Sequence, residues 1–127
     1  MYNITVEGEF SAAHNLRNYK GKCEKLHGHN YKVRLTVEGS TLDKSGMLVD
    51  FMVVKNILKK VLSKFDHGYL NDIPPFDPAK GGVNPTAENI AGWIYNEVKI
   101  KIAGLKIKIR DATVWETEKN CAVYYEG

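Results

Sequence analysis

The sequence has little of what would mark a secreted, membrane-embedded or nucleic-acid-coating protein. Cysteine occurs only at Cys23 and Cys121 in 127 residues. Two thiols make no disulfide framework, and a chain of this length buries a core without one. The opening MYNITVEGEF holds neither a basic segment nor an apolar stretch, so no signal peptide is expected. No apolar run approaches the ~18–20 residues of a membrane span. Repeats, linkers and low-complexity tracts are missing too. The net charge of +3 is too small an excess for the Lys/Arg stripe of a nucleic-acid binder. It does suit an anionic small substrate. These absences predict one domain over residues 1–127, cytoplasmic, with reduced thiols and neither nucleic acid nor membrane as partner.

What is present reads in the order strand, strand, helix, helix, strand, strand. From about Asn3 to Ala13, the residues Ile4, Val6, Phe10 and Ala12 share one face at period two. From about Asn30 to Gly39, Tyr31, Val33, Leu35 and Val37 alternate with Lys32, Arg34, Thr36 and Glu38, a half-buried antiparallel pattern. The polar loop between them, Asn15 to Gly28, is too long for a hairpin turn, and long loops in compact domains are often functional. Asp50 can cap a helix over about Phe51 to Phe65, with Phe51, Val54, Leu58, Val61, Leu62 and Phe65 as its apolar stripe. After a Pro/Gly-rich loop, Thr86 is the natural N-cap of a second helix reaching about Ile102. A third strand is expected over about Leu105 to Glu116. Its apolar parity switches near Asp111, which predicts a bulge or a change of packing partner. A fourth follows over Cys121 to Tyr125, with Cys121 as a small buried residue. The fold class is α+β: four antiparallel strands with two helices on one face.

Three of the four histidines fall where they could meet. His27 and His29 flank Gly28 before the second strand, and residues i and i+2 of extended chain point to one face. His14 ends the first strand on the parity of its apolar residues. If the two strands pair, three neutral imidazoles surround one point, the donor set of a catalytic zinc site with one open position. Cys23 as a fourth ligand would instead close the site. Spacing alone leaves polar histidines at strand ends as the competing reading, weakened once His14 joins the pair.

Six stretches, taken together, resemble the 6-pyruvoyl-tetrahydropterin synthase superfamily. They are Phe10-Ser11-Ala12-Ala13-His14, Cys23 through Tyr31, Gly46 through Phe51, Phe65 through Asn71, Asn84 through Asn89, and Trp115-Glu116-Thr117, in the family's order. The resemblance implies a tunnelling fold, with subunit sheets joined into a barrel as two stacked trimers and active sites between subunits. It implies Zn2+ on His14, His27 and His29, an acid/base group of Cys23, Asp66 and His67, and Glu116 holding a pterin ring. The Cys-x3-His-Gly-His spacing from Cys23 is similar to the branch forming 6-carboxy-tetrahydropterin in the queuosine and 7-deazapurine pathway. Glu24 stands where a third branch, which makes 6-hydroxymethyl-dihydropterin for folate, carries its glutamate. The pyruvoyl-forming branch has a longer Cys-to-His interval.

The implied substrate is 7,8-dihydroneopterin triphosphate. The carboxy product requires proton removal beside the ring, loss of triphosphate and carbon–carbon cleavage that frees acetaldehyde. Zinc would polarise the side-chain hydroxyls. Cys23, its thiol acidified by a nearby cation, would take the proton. Glu24 is an alternative base or simply a solvated loop charge. Asp66 and His67 follow one another at a helix end, where adjacent side chains do not face each other; His67 could exchange protons or merely meet the helix dipole. Glu116 could accept two hydrogen bonds from the ring, or be an exposed strand-end residue. Thr86 and Glu88 could also approach the ring, although a cap explains Thr86 by itself. Arg17, Lys20, Lys22 and Lys25 are candidate triphosphate contacts, or a solvated loop. A zinc-stabilised binding module without turnover is the alternative of a different class.

Overall fold

Alternating apolar and polar residues on either side of the long polar loop build one extended hairpin. Strand β1 (Tyr2–His14) and strand β2 (His27–Gly39) pair antiparallel along their whole length, from Tyr2 opposite Gly39 to His14 opposite His27. This computed structural model describes residues 1–17 and 25–127; Lys20, Lys22, Cys23 and Glu24 lie outside the described residues. Both strands run further than the apolar pattern indicates. β2 starts at His27 rather than Asn30, because histidines can continue a ladder as well as aliphatic residues do.

Helix α1 (Phe51–Leu62) begins where the Asp50 carboxylate accepts the Met52 N–H at 2.8 Å. It ends three residues before Phe65, as tight turns take over: Phe65 N–H donates to Leu62 C=O at 3.0 Å and Gly68 N–H to Phe65 C=O at 3.1 Å. Phe65 remains fully buried, whereas Phe51, at the exposed front of the helix, leaves the predicted stripe. The next segment holds strand β3, only Gly68–Tyr69, which pairs parallel with Ala12 and Ala13 of β1. Helix α2 (Ala87–Lys101) starts at Thr86, whose hydroxyl accepts the Asn89 N–H at 3.1 Å. Strands β4 (Lys108–Trp115) and β5 (Cys121–Tyr125) complete the sheet.

The sheet therefore has five strands in the order β3-β1-β2-β4-β5, and one of its pairings is parallel. The expectation of four antiparallel strands is corrected by β3. Two residues carry no periodicity, and their pairing is imposed by tertiary contacts alone. The bulge does form. Thr36 pairs with Asp111 and Val37 with Ile109, so Arg110 is the extra residue and the buried parity passes from Ile107 and Ile109 to Ala112 and Val114. Leu105 precedes β4 and is exposed.

Both helices cover the same sheet face. Leu58 and Leu62 of α1 reach within 3.1–3.2 Å of where a Cβ on Gly8 would stand, so glycine is what lets α1 settle on β1. Gly92 of α2 packs on the ring of Tyr124 in β5. Gly8 and Tyr124 share the parity of Val6, Phe10, Val33, Leu35 and Ala112, which form the core beneath the helices. Cys121 has the other parity, opposite Trp115, and is exposed, not buried as expected. Among the described residues no helix is long and apolar enough to cross a membrane.

Candidate metal centre

The inner face of the hairpin ends in histidine. His14 stands opposite His27, and His29 opposite Ala12, so the parity that buries Phe10 and Tyr31 also carries all three imidazoles under the start of α2. Just beyond β4, Glu116 continues the parity of Ala112 and Val114 and arrives at the same place. One ligand atom from each of His14, His27, His29 and Glu116 lies within 4.8 Å of every other. His14 Nε2 is 3.1 Å from His27 Nε2, and Glu116 Oε1 is 3.2 Å from His29 Nε2 and 4.0 Å from His14 Nε2.

The backbone decides which nitrogens carry protons. His14 Nδ1 is 2.8 Å from the carbonyl oxygen of Pro85, and His27 Nδ1 is 2.7 Å from that of Lys25. A carbonyl only accepts, so both Nδ1 atoms hold hydrogen and both Nε2 atoms present bare lone pairs. Two lone pairs 3.1 Å apart repel unless a cation or a proton sits between them. Nitrogens bound at ~2.1 Å to one tetrahedral ion stand roughly 3.4 Å apart, close to this spacing. His29 Nε2 is buried and makes no hydrogen bond, an orphan that a metal ion would satisfy. Burial pushes the His14 imidazole below its ordinary pKa, with the Pro85 carbonyl and Glu116 partly opposing and His27 reinforcing. Burial likewise lowers His29, against Glu116 and with His14 and His27. Neutral imidazole is the form that ligates. The donor set and its protonation thus fit a divalent cation.

The other predicted residues are distributed around this centre. Thr86 follows Pro85 directly, so the cap of α2 is tied to His14 through one carbonyl. Glu88 and Glu116 line one open depression with Thr117, Asn120 and Cys121. Asp66 and His67 sit on the far side of β1. Asp66 Oδ1 accepts the Ser11 N–H at 2.9 Å and His67 N–H donates to Ser11 C=O at 2.6 Å, which clamps the turn to the strand edge. The two side chains do touch, His67 Nδ1 lying 3.1 Å from Asp66 Oδ2. The expectation that they face apart fails because the helix has already ended and His67 adopts a left-handed φ of 60°. The Ser11 N–H, with the His67 imidazole adding to it, holds the Asp66 carboxyl below its ordinary value. The His67 side chain is 84 % exposed, and its ion-pair partner is Asp66, not Glu116.

Arg17 is not free to meet a phosphate. Its guanidinium donates to the carbonyls of Phe76 and Gly82, both at 3.0 Å, and its backbone exchanges two hydrogen bonds with the Asn84 side chain. Lys25 is exposed. Asn71, buried, makes the same two-way exchange with Asn15. Sequence reasoning missed Tyr31, Pro85, Asn71 and Asn84. The two amides could have been suspected from their place in the motif stretches, Asn71 at the end of Phe65 through Asn71 and Asn84 before Pro85; a carbonyl leaves no mark in the sequence.

Fold and site together describe a small α+β protein with a preformed candidate site for a divalent cation. Residues 3–127 match the family model for 6-pyruvoyl tetrahydropterin synthase, and the chain belongs to that family. It is 36% identical over 130 residues to a 6-carboxy-5,6,7,8-tetrahydropterin synthase of Synechocystis, covering 98% of this chain and 94% of the relative. It is 34% identical over 145 residues to the Haemophilus influenzae protein of that name, covering 99% and 100%. The structure of Caenorhabditis elegans 6-pyruvoyl tetrahydropterin synthase superposes with a TM-score of 0.80 at 29% identity, covering 100% and 98%.

Proposed function

We propose that this chain is a zinc-dependent lyase that converts 7,8-dihydroneopterin triphosphate and one water to 6-carboxy-5,6,7,8-tetrahydropterin, releasing acetaldehyde and triphosphate. The observation that carries this reading is the convergence of His14, His27 and His29, with two Nε2 lone pairs 3.1 Å apart. The ion they would hold supplies Lewis acidity to the hydroxyls of the substrate side chain. Cys23 takes the proton beside the ring, and Glu24 is the second candidate base. Glu116 accepts hydrogen bonds from the amino group and ring N–H of the pterin, and Glu88 lines the same depression. Thr86 positions that end of α2. The Asp66–His67 pair exchanges protons with the substrate. The His67 side chain is 84 % exposed and so open to another subunit, which favours an assembly of two stacked trimers whose neighbouring subunits complete each site. In this reading the chain is one domain in the cytoplasm, with neither membrane nor nucleic acid as partner.

Two other products belong to the same reading. Glu24 beside Cys23 favours 6-hydroxymethyl-7,8-dihydropterin as a second product. The likeness to the nematode synthase keeps 6-pyruvoyl-tetrahydropterin as a third. Incubating the purified protein with dihydroneopterin triphosphate separates them: acetaldehyde with the carboxy-pterin is expected. A pyruvoyl product, or a hydroxymethyl product without acetaldehyde, overturns the assignment. No turnover with any pterin leaves a zinc-stabilised binding module.

A further inference from the structure

Tyr31 is fully buried beneath the imidazoles, and the reading of the metal centre gives it no task. Its ring stacks on Phe10, with centroids 4.7 Å apart and planes 10° from parallel. It meets His14 edge-on at 5.9 Å and His29 at 5.6 Å. Its hydroxyl oxygen lies 3.1 Å from His14 Nδ1, the nitrogen already 2.8 Å from the Pro85 carbonyl. The carbonyl cannot donate, so Nδ1 must, and the tyrosine oxygen is left as the second acceptor of the same hydrogen.

We infer that Tyr31 is a positioning residue of the metal centre: its hydroxyl oxygen and the Pro85 carbonyl share the His14 Nδ1–H, which fixes the tautomer and the ring orientation of His14. The inference rests on the reading of His14, His27 and His29 as metal ligands. Two acceptors on one N–H restrain the ring in two directions, whereas one carbonyl leaves it free to swing about a single bond. They also draw the hydrogen outward and make Nε2 a stronger donor toward the cation. His14 needs this more than its neighbours do. It is completely buried, so no water is at hand to replace a missing partner. Tyr31 sits under His29 as well, so the ring sets the spacing of two ligands from below while the hydroxyl orients one.

The test compares wild type with Tyr31→Phe on the full chain. Zinc affinity is read by chelator competition, the cobalt(II) absorption spectrum serves as a second readout, and melting of the metal-free protein is the control. Tyr31→Phe keeps the stack on Phe10 and loses only the oxygen. It is expected to bind zinc ~10- to 100-fold more weakly, the range typical of outer partners of a metal ligand. Its cobalt bands shift in position or intensity, and its metal-free melting stays cooperative within a few degrees of wild type. Unchanged affinity with an unchanged cobalt spectrum overturns the inference alone. Wild type that binds no metal overturns the metal reading and this inference with it. Phe10→Leu, which loosens the stack but keeps the hydroxyl, is expected to retain affinity; an equal loss there would mean that packing rather than the shared hydrogen bond matters. If Tyr31→Phe does not fold, 3-fluorotyrosine installed at position 31 replaces it. That oxygen is a poorer acceptor at nearly the same volume, so a smaller weakening in the same direction is expected, and unchanged affinity overturns the inference.

Discussion

The two sides of the C-terminal end of β1 treat histidine in opposite ways. On the inner face, His14 is wholly buried, its ring held by Pro85 and Tyr31, and its free nitrogen meets those of His27 and His29. Across the strand, His67 is 84 % exposed, bent into a left-handed backbone, and partnered by Asp66. The first arrangement holds lone pairs still and suits a cation. The second leaves an imidazole in water with a carboxylate beside it, which suits proton exchange with something arriving from outside the chain. Position relative to the sheet, rather than residue type, separates the two settings.

The sharpest way to break this comparison is to remove an inner histidine. His14→Ala or His27→Ala should empty the site and lower product formation by about 10³-fold or more. Metal analysis and the acetaldehyde assay read the two effects, and activity that survives without metal would dissolve the distinction. Changing the outer pair should do something different. His67→Ala or Asp66→Asn is expected to lower turnover by roughly 10²–10⁴-fold, the usual worth of a general acid or base, while metal content stays at the wild-type level. Metal lost along with activity would mean that both regions serve one centre.

Two smaller effects sharpen the account. A Cβ on Gly82 would lie 2.5–2.7 Å from backbone atoms of Phe76 and Asp77, the turn on which the Arg17 guanidinium docks. Gly82→Ala should therefore cost ~1–3 kcal/mol, read by urea unfolding, because backbone cannot yield to it. The Asp66 carboxyl sits below its ordinary 3.8 when folded. Its contribution to stability is thus complete above that value and disappears as pH falls through the lower folded value. Melting curves of wild type and Asp66→Asn should differ at pH 6 and converge in acid below pH 3.8; a gap that persists there would point to lost packing instead.

Local periodicity made much of the fold legible. Ile4, Val6 and Phe10 gave β1 its inner face, and the parity switch at Asp111 located the bulge that Arg110 fills. The same parity rule placed His14, His27 and His29 together. What stayed hidden depends on contacts between segments distant in sequence. β3 exists because Gly68 and Tyr69 are brought alongside Ala12 and Ala13, and two residues have no pattern to read. Arg17 looked like a loop cation until the Phe76 and Gly82 carbonyls enclosed it. Glu116 reads as a strand end, and only the folded chain shows its carboxylate 3.2 Å from His29 Nε2.

The most direct test is metal analysis of the protein purified without chelator, followed by removal and readdition of zinc with activity followed throughout. The account predicts close to one divalent ion per chain, loss of product when it is stripped, and recovery when zinc returns. Protein that carries no such ion and takes up none when zinc is supplied would contradict it.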